Sequence, residues 1–207
     1  MKSLFGLGML IFALSFCNIG ERLNELQSAA EATNPAGPES STSTAETATL
    51  TEEQEKILEN ANPIEWEGQD ITFRLPVGFN KMDVKKESFN YGSPASGFLI
   101  GTISTMPATF PSETSLKATY DSALEQLKQG KYEDVRWLEI DGITGVEWIE
   151  AMPEDKSGPR RHQWIAFRTY QGQNQQLNIM VSTDGSKFED RRDTFTAILY
   201  SMKIAKG

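Results

Sequence analysis

The chain has 207 residues, with 29 acidic against 20 basic side chains, a formal net charge of -9, one histidine and one cysteine. A field of that sign speaks against binding nucleic acid or an anionic lipid surface through overall charge. A single cysteine, Cys17, excludes an internal disulfide and a cysteine-based zinc site. In chain order, Lys2 is followed by an uncharged apolar run from Leu4 to Phe16. That run is too short to cross a hydrocarbon core of roughly 30 Å and has the layout of an export signal, so residues 1–16 are expected to be a leader. Residues 17–62 are built largely from Ala, Ser, Thr, Glu and Pro. Such a composition buries too little apolar surface to repay ordering, and it predicts a flexible tether with a reach on the order of 35 Å. Within it, Glu52 to Glu59 can form a helical turn or two only by docking on the domain behind.

Residues 63–207 carry all four tryptophans and suit one domain with a substantial core. Ile71, Phe73 and Leu75 alternate with polar residues, which predicts a strand over 70–75 that Pro76 ends for want of an N–H. The run FLIGTIST predicts a second strand over 97–105. Leu116, Tyr120, Ala123, Leu124 and Leu127 fall on one helical face, so a helix is expected over 116–129, with Ser115 as N-cap and Gly130 as terminator. Asp141-Gly142 suits a type I′ turn between strands over 133–140 and 143–151. A polar loop, Pro153 to Pro159, then leads to a strand over 160–170, a turn at Gln171 to Asn174, and a return strand over 175–182. A last helix carries Phe188, Phe195, Ile198, Leu199 and Met202 on its apolar stripe, with Ser186 and Glu189 at the spacing of a capping box. The fold class is therefore α+β, an antiparallel β-sheet with packed helices.

Two resemblances follow from these residues. Leu14, Ser15 and Cys17 resemble the lipobox of bacterial lipoproteins, with Phe16 standing where that motif has a small residue. This implies a lipid on Cys17 and, with Asn18 next to it, placement on the outer membrane facing the periplasm. The rest of the chain resembles the PsbP-like fold. The motifs are Pro76-x-Gly78-Phe79, a glycine-ended middle helix, Gly142-x-x-Gly145, Arg168-x-Tyr170-x-Gly172, and Ile198-Leu199-x-Ser201. That resemblance implies an α/β/α sandwich and a mostly non-enzymatic role.

The chemistry-bearing residues are few. His162 stands alone, so no histidine pair can hold a metal, and no serine stands in a nucleophile elbow. His162 is expected on a half-exposed sheet face near the start of its strand. Glu147, Glu150, Glu154 and Asp155 read as a solvated strand edge rather than a calcium site. Arg160, Arg161 and His162 would form a positive spot if Arg191 and Arg192 came near, although those two are expected to pair with Glu189, Asp190 and Asp193. Trp164 and Tyr170, with Trp148 across the sheet, make either core or an aromatic binding platform. No catalytic residue, metal or cofactor is expected. The sequence points to a lipid-anchored envelope accessory protein that docks to another envelope protein, with Trp164, Tyr170, Arg160, Arg161 and His162, or the loop Pro153 to Pro159, as contact surface. The alternative is a ligand-binding or enzymatic domain with a cleft between sheet and helix.

Overall fold

A computed structural model describes residues 44–154 and 156–205. The expected leader, Cys17 and the first part of the tether lie outside the described residues, as does Asp155. Strand β1 (Glu46–Thr47), helix α1 (Glu52–Leu58) and strands β2 (Asn62–Trp66), β3 (Ile71–Leu75), β4 (Asn80–Val84), β5 (Ser88–Ser93) and β6 (Gly97–Met106) come first. Helix α2 (Ser112–Lys128) and strands β7 (Tyr132–Ile140), β8 (Ile143–Glu150), β9 (Pro159–Tyr170) and β10 (Gln173–Asp184) follow. The chain closes with α3 (Gly185–Phe188), a 3-10 turn, α4 (Arg192–Tyr200) and β11 (Lys203–Ile204).

An eight-stranded sheet runs in the order β1-β7-β8-β9-β10-β6-β5-β4, and a three-stranded sheet in the order β11-β3-β2. Four consecutive antiparallel strands, β7 to β10, form the middle of the eight-stranded sheet as expected. Their hairpins turn on Asp141-Gly142 (φ 50° and 76°) and Gln171-Gly172 (φ 49° and 73°). Both pairs occupy the left-handed region at both central positions, so the second turn takes two residues rather than the four expected.

Period-2 alternation sends side chains to two faces. The inner face carries Leu138, Ile149, Trp164, Leu177 and Ile179, packed with Phe73 of β3 and Phe195 and Ile198 of α4 in one core. The outer face carries Val135, Val146 and Trp148, packed under Leu116 and Ala123 of α2 in a second core. The helices thus lie on opposite faces of the large sheet. Tyr120 of α2 stacks on Trp137 at 4.7 Å between ring centres.

Three expectations are corrected. Residues 46–58 are not tether: β1 pairs in parallel with Leu138 and Glu139 of β7, and a Thr51–Gln54 capping box starts α1. Docking provides the reason, since Leu58 is fully buried and Arg74 grips its carbonyl. The cap position of α2 belongs to Pro111, four residues earlier than expected from Ser115, and no side chain caps it. No capping box opens the closing helices, because the Glu189 carboxylate is drawn to Arg192 and Arg160 and the Ser186 N–H donates to the Lys156 carbonyl.

Candidate functional site

The residues singled out as a contact surface mostly lie inside. Trp164 is fully buried on the inner face, its indole N–H donating to the Leu138 carbonyl at 3.2 Å. Tyr170 is buried, and its hydroxyl donates to Asp70 at 2.7 Å. Both belong to the core, because the small sheet and α4 cover the inner face that the strand presents to them. Neither forms a platform.

His162 is also buried, contrary to the half-exposed position expected for it. Its Nε2 lies 2.6 Å from Glu147 Oε1, while its Nδ1 has no partner among the described residues. Glu147 is fully buried too, which corrects the reading of it as part of a solvated edge. The correction follows from parity: Glu147 pairs with Trp164 in the β8–β9 register and so faces inward with it. Its other oxygen accepts from Arg136 Nε at 2.6 Å. Arg136 in turn donates to the Tyr200 hydroxyl at 2.5 Å and to Glu46 of β1 at 3.3 Å. Burial pushes the Glu147 carboxyl up, but the hydrogen bond and charge of His162 and the Arg136 guanidinium outweigh it, and its pKa lies below the ordinary glutamate value. This network ties β7, β8 and β9 to α4 and β1. Sealed as His162 and Glu147 are, their pairing serves structure.

Arg160 and Arg192 do come near each other, but no positive spot results. Arg160 is buried, sits 4.3 Å above the Phe188 ring, and pairs with Glu133 and with Glu189. Arg192 pairs with the same two carboxylates. Two guanidiniums and two carboxylates close a neutral ring. The Arg192 hydrogen bond and the Arg160 partner hold the Glu189 carboxyl down at about 2. Arg191 is bound elsewhere, to the Ala95 carbonyl.

Arg161 is the one expected contact residue that remains at the surface, with its side chain 41% exposed. It belongs to a corner made by the ends of β8 and β10, the start of β9 and the loop between β8 and β9. Glu150 accepts from the Arg161 backbone at 3.0 Å and from its guanidinium at 2.8 Å. Beneath them Arg160 Nε donates to the Glu150 carbonyl at 2.6 Å. The loop is held to α3 by Gly185 N–H to Gly158 O and Ser186 N–H to Lys156 O, at 2.9 and 2.7 Å. A Cβ at position 185 would stand 2.7 Å from Pro153, so glycine permits this close approach. Met152 projects from the fixed loop at 41% exposure. The corner is a mixed apolar and charged projection whose loop is hydrogen-bonded to α3 through Lys156 and Gly158.

The outer sheet face continues from this corner. α2 lies over β7, β8 and β9. Grooves of about 440 Å³, beside Thr119, Tyr132 and Trp148, and about 390 Å³, beside Leu116, Trp137 and Phe167, run along its flanks. Farther across, Phe98, Ile100, Asn178 and Met180 are half-buried on β6 and β10. Sequence parity foretells which residues share this face, but not that α2 leaves this part of it half-exposed. Among the described residues no three His, Cys, Asp or Glu side chains are grouped to hold a metal ion, and no helix is long and apolar enough to cross a membrane.

No protein-family model matches the chain, and no curated protein matches it in sequence. Among solved structures, LpqN of Mycobacterium tuberculosis, involved in cell envelope biogenesis, is similar over 72% of this chain and 95% of its own, at 13% identity and a TM-score of 0.52. The cyanobacterial PsbP protein of Synechocystis sp. PCC 6803, from the group whose motifs the sequence resembles, is similar over 83% of this chain and 100% of its own, at 13% identity and a TM-score of 0.45. The Ran-binding protein Mog1p of Saccharomyces cerevisiae is similar over 71% and 96%, at 13% identity and a TM-score of 0.41. The likeness to LpqN bears on the fold: an α+β domain with helices packed on an antiparallel sheet.

Proposed function

We propose that this chain is a non-enzymatic binding or accessory module of the cell envelope, exported and held by a lipid on Cys17 to the outer membrane, where it faces the periplasm and acts by contact with another envelope protein. The observation that carries the reading is the fixed corner at Met152, Glu150 and Arg161, where a half-exposed thioether stands beside a charged pair on a loop tied down at both ends. Preorganised projections of this kind lose little entropy on docking. The buried polar groups support it from the other side: Glu147, Arg160 and Arg168 are each engaged by partners inside the domain. LpqN, named for cell envelope biogenesis, carries a similar fold.

The test is capture from intact envelopes after mild cross-linking, using the native chain, a secreted Cys17→Ala chain, and a Met152→Asp/Arg161→Glu chain. The reading expects one envelope protein captured by the native chain and lost from the corner variant while its melting temperature is unchanged. Equal capture by the native chain and the corner variant removes the corner from the function. The grooves beside α2 support a second reading, a small-ligand module. Under that reading none of the three chains captures a protein, and a metabolite screen shifts the melting temperature of the native chain.

A further inference from the structure

The outer face of β5, β6, β10 and the facing part of β9 has a composition that the protein contact proposed above does not use. On a chain of charge -9, its interior positions carry no charge. One row across the strands reads Gln163, Met180, Ile100, Asn90. The next reads Ile165, Asn178, Thr102, Ser88, and a third Phe167, Gln176, Ser104. Arg161, already paired with Glu150, and Asp184, paired with Lys187, stand at one end, and Asp83, opposite Asn90 and paired with Lys85, stands at the β4 edge.

The hydrogen-bonding capacity of this face is largely unspent. Gln163 donates to Asn178 at 2.7 Å. Ser88, Thr102, Ser104 and Gln176 make no side-chain hydrogen bond among the described residues, and the side-chain amide oxygen of Asn90, buried beneath the face, has no partner among them. Strands about 4.8 Å apart, with same-face residues about 6.8 Å apart along each, set these amides and hydroxyls in a regular grid. Phe98, Ile100, Met180 and Ile165 fill the places between them and are half-buried.

We infer that this face binds a neutral polysaccharide chain. A sugar ring presents vicinal hydroxyls on its edge and C–H groups on its face, which match free amides and hydroxyls beside half-buried apolar side chains such as Phe98 and Ile100. An uncharged ligand escapes the repulsion that a net charge of -9 imposes on anionic partners and leaves no unpaired charge at the contact. A nucleic acid would find no cationic partner in the interior of the face.

The experiment titrates the full secreted Cys17→Ala chain with two neutral probes, cellohexaose and chitohexaose, and with an anionic oligogalacturonate, following amide NMR signals. The expected result is binding of a neutral probe, with shifts confined to β5, β6, β9 and β10 and the same affinity at low and high salt. A Gln176→Ala/Asn178→Ala variant with an unchanged melting temperature should bind about tenfold or more weakly, the loss expected for removing two or more neutral hydrogen bonds. Absence of response to both neutral probes overturns the inference. So does a response that maps to the grooves beside α2, one that the double variant leaves intact, or a preference for the anionic probe. Envelope-protein capture by a photo-cross-linker at position 176 that neither neutral sugar competes would assign the face to a protein instead. Because Met152 and Arg161 are untouched in the double variant, these outcomes are distinct from failure of the corner.

Discussion

Trp164 and Gly145 show how a single position can be legible in type and misread in role. A Cβ at position 145 would lie 2.4 Å from the Trp164 indole nitrogen, so the glycine of the Gly142-x-x-Gly145 motif is explained by close approach of a large ring. Trp164→Ala is expected to cost about 3–5 kcal/mol, and Gly145→Ala about 1–3 kcal/mol, both read from urea unfolding; retention of wild-type stability by Trp164→Ala would place the ring outside the core. Glu147 makes the second residue-scale case. Its folded pKa is depressed, so it binds fewer protons folded than unfolded at the same mildly acid pH. Its stabilisation is therefore present above the unfolded value, near 4.5, and is lost as pH falls through the folded one. Glu189 contributes in the same direction between 4.5 and about 2, though its exposure to solvent makes its share small. Thermal melts should accordingly show stability declining as pH drops below about 4.5, and Glu147→Gln should lose part of that dependence. Because the substitution removes the buried carboxylate that Arg136 and His162 share, it is also expected to cost about 3–5 kcal/mol at neutral pH. A flat pH profile in both chains would remove Glu147 as an ionised core group.

At the scale of elements, the hairpins were readable because Asp141-Gly142 and Gln171-Gly172 carry turn chemistry with a narrow conformational meaning. The middle and closing helices were readable from their apolar stripes, but their first turns were not, since Pro111 and the Glu189 ion pairs replace the expected caps. Strands β4 and β5 escaped notice for different reasons. β4 is exposed almost throughout, and a bulge between Lys81 and Asp83 disrupts its pairing period. β5 is short and holds Asn90 and Gly92 among its apolar residues. The strand over 46–47 was hidden, and the helix over 52–58 was readable only as one that needs docking, because a two-residue strand and a two-turn helix do not stand alone. A chain beginning at residue 63 should consequently be less stable than one beginning at 44, by about 2–5 kcal/mol for loss of the Leu58 contact alone. Thr51→Ala in the longer chain should cost about 1 kcal/mol. Equal denaturation midpoints for the two lengths would return this segment to the tether.

Over the whole molecule, the placement of helices on opposite faces determines what remains for a partner. With α4 and the small sheet closing the inner face, the aromatic set around Trp164 becomes core, and half-exposed surface remains on the outer face beyond α2. The membrane reading belongs to this scale as well: Cys17→Ala should move the protein from the membrane fraction to the soluble fraction without shifting its melting temperature, and persistence in the membrane fraction would rule out lipid attachment at Cys17 as the anchor. The sequence by itself determined the α+β class, the β7 to β10 meander and the residues that share each strand face, because periodicity and turn chemistry are local. It also singled out Arg161 and Glu150 of the corner, but none of the uncharged polar residues of the outer face. Only the tertiary structure decided that His162, Glu147 and Arg160 lie inside, that Arg160 and Arg192 are neutralised by Glu133 and Glu189, and that an uncharged part of the outer face stays half-exposed. Burial and charge pairing depend on which distant segments close over a strand, and a pattern of period two says which side a residue faces without saying what covers it.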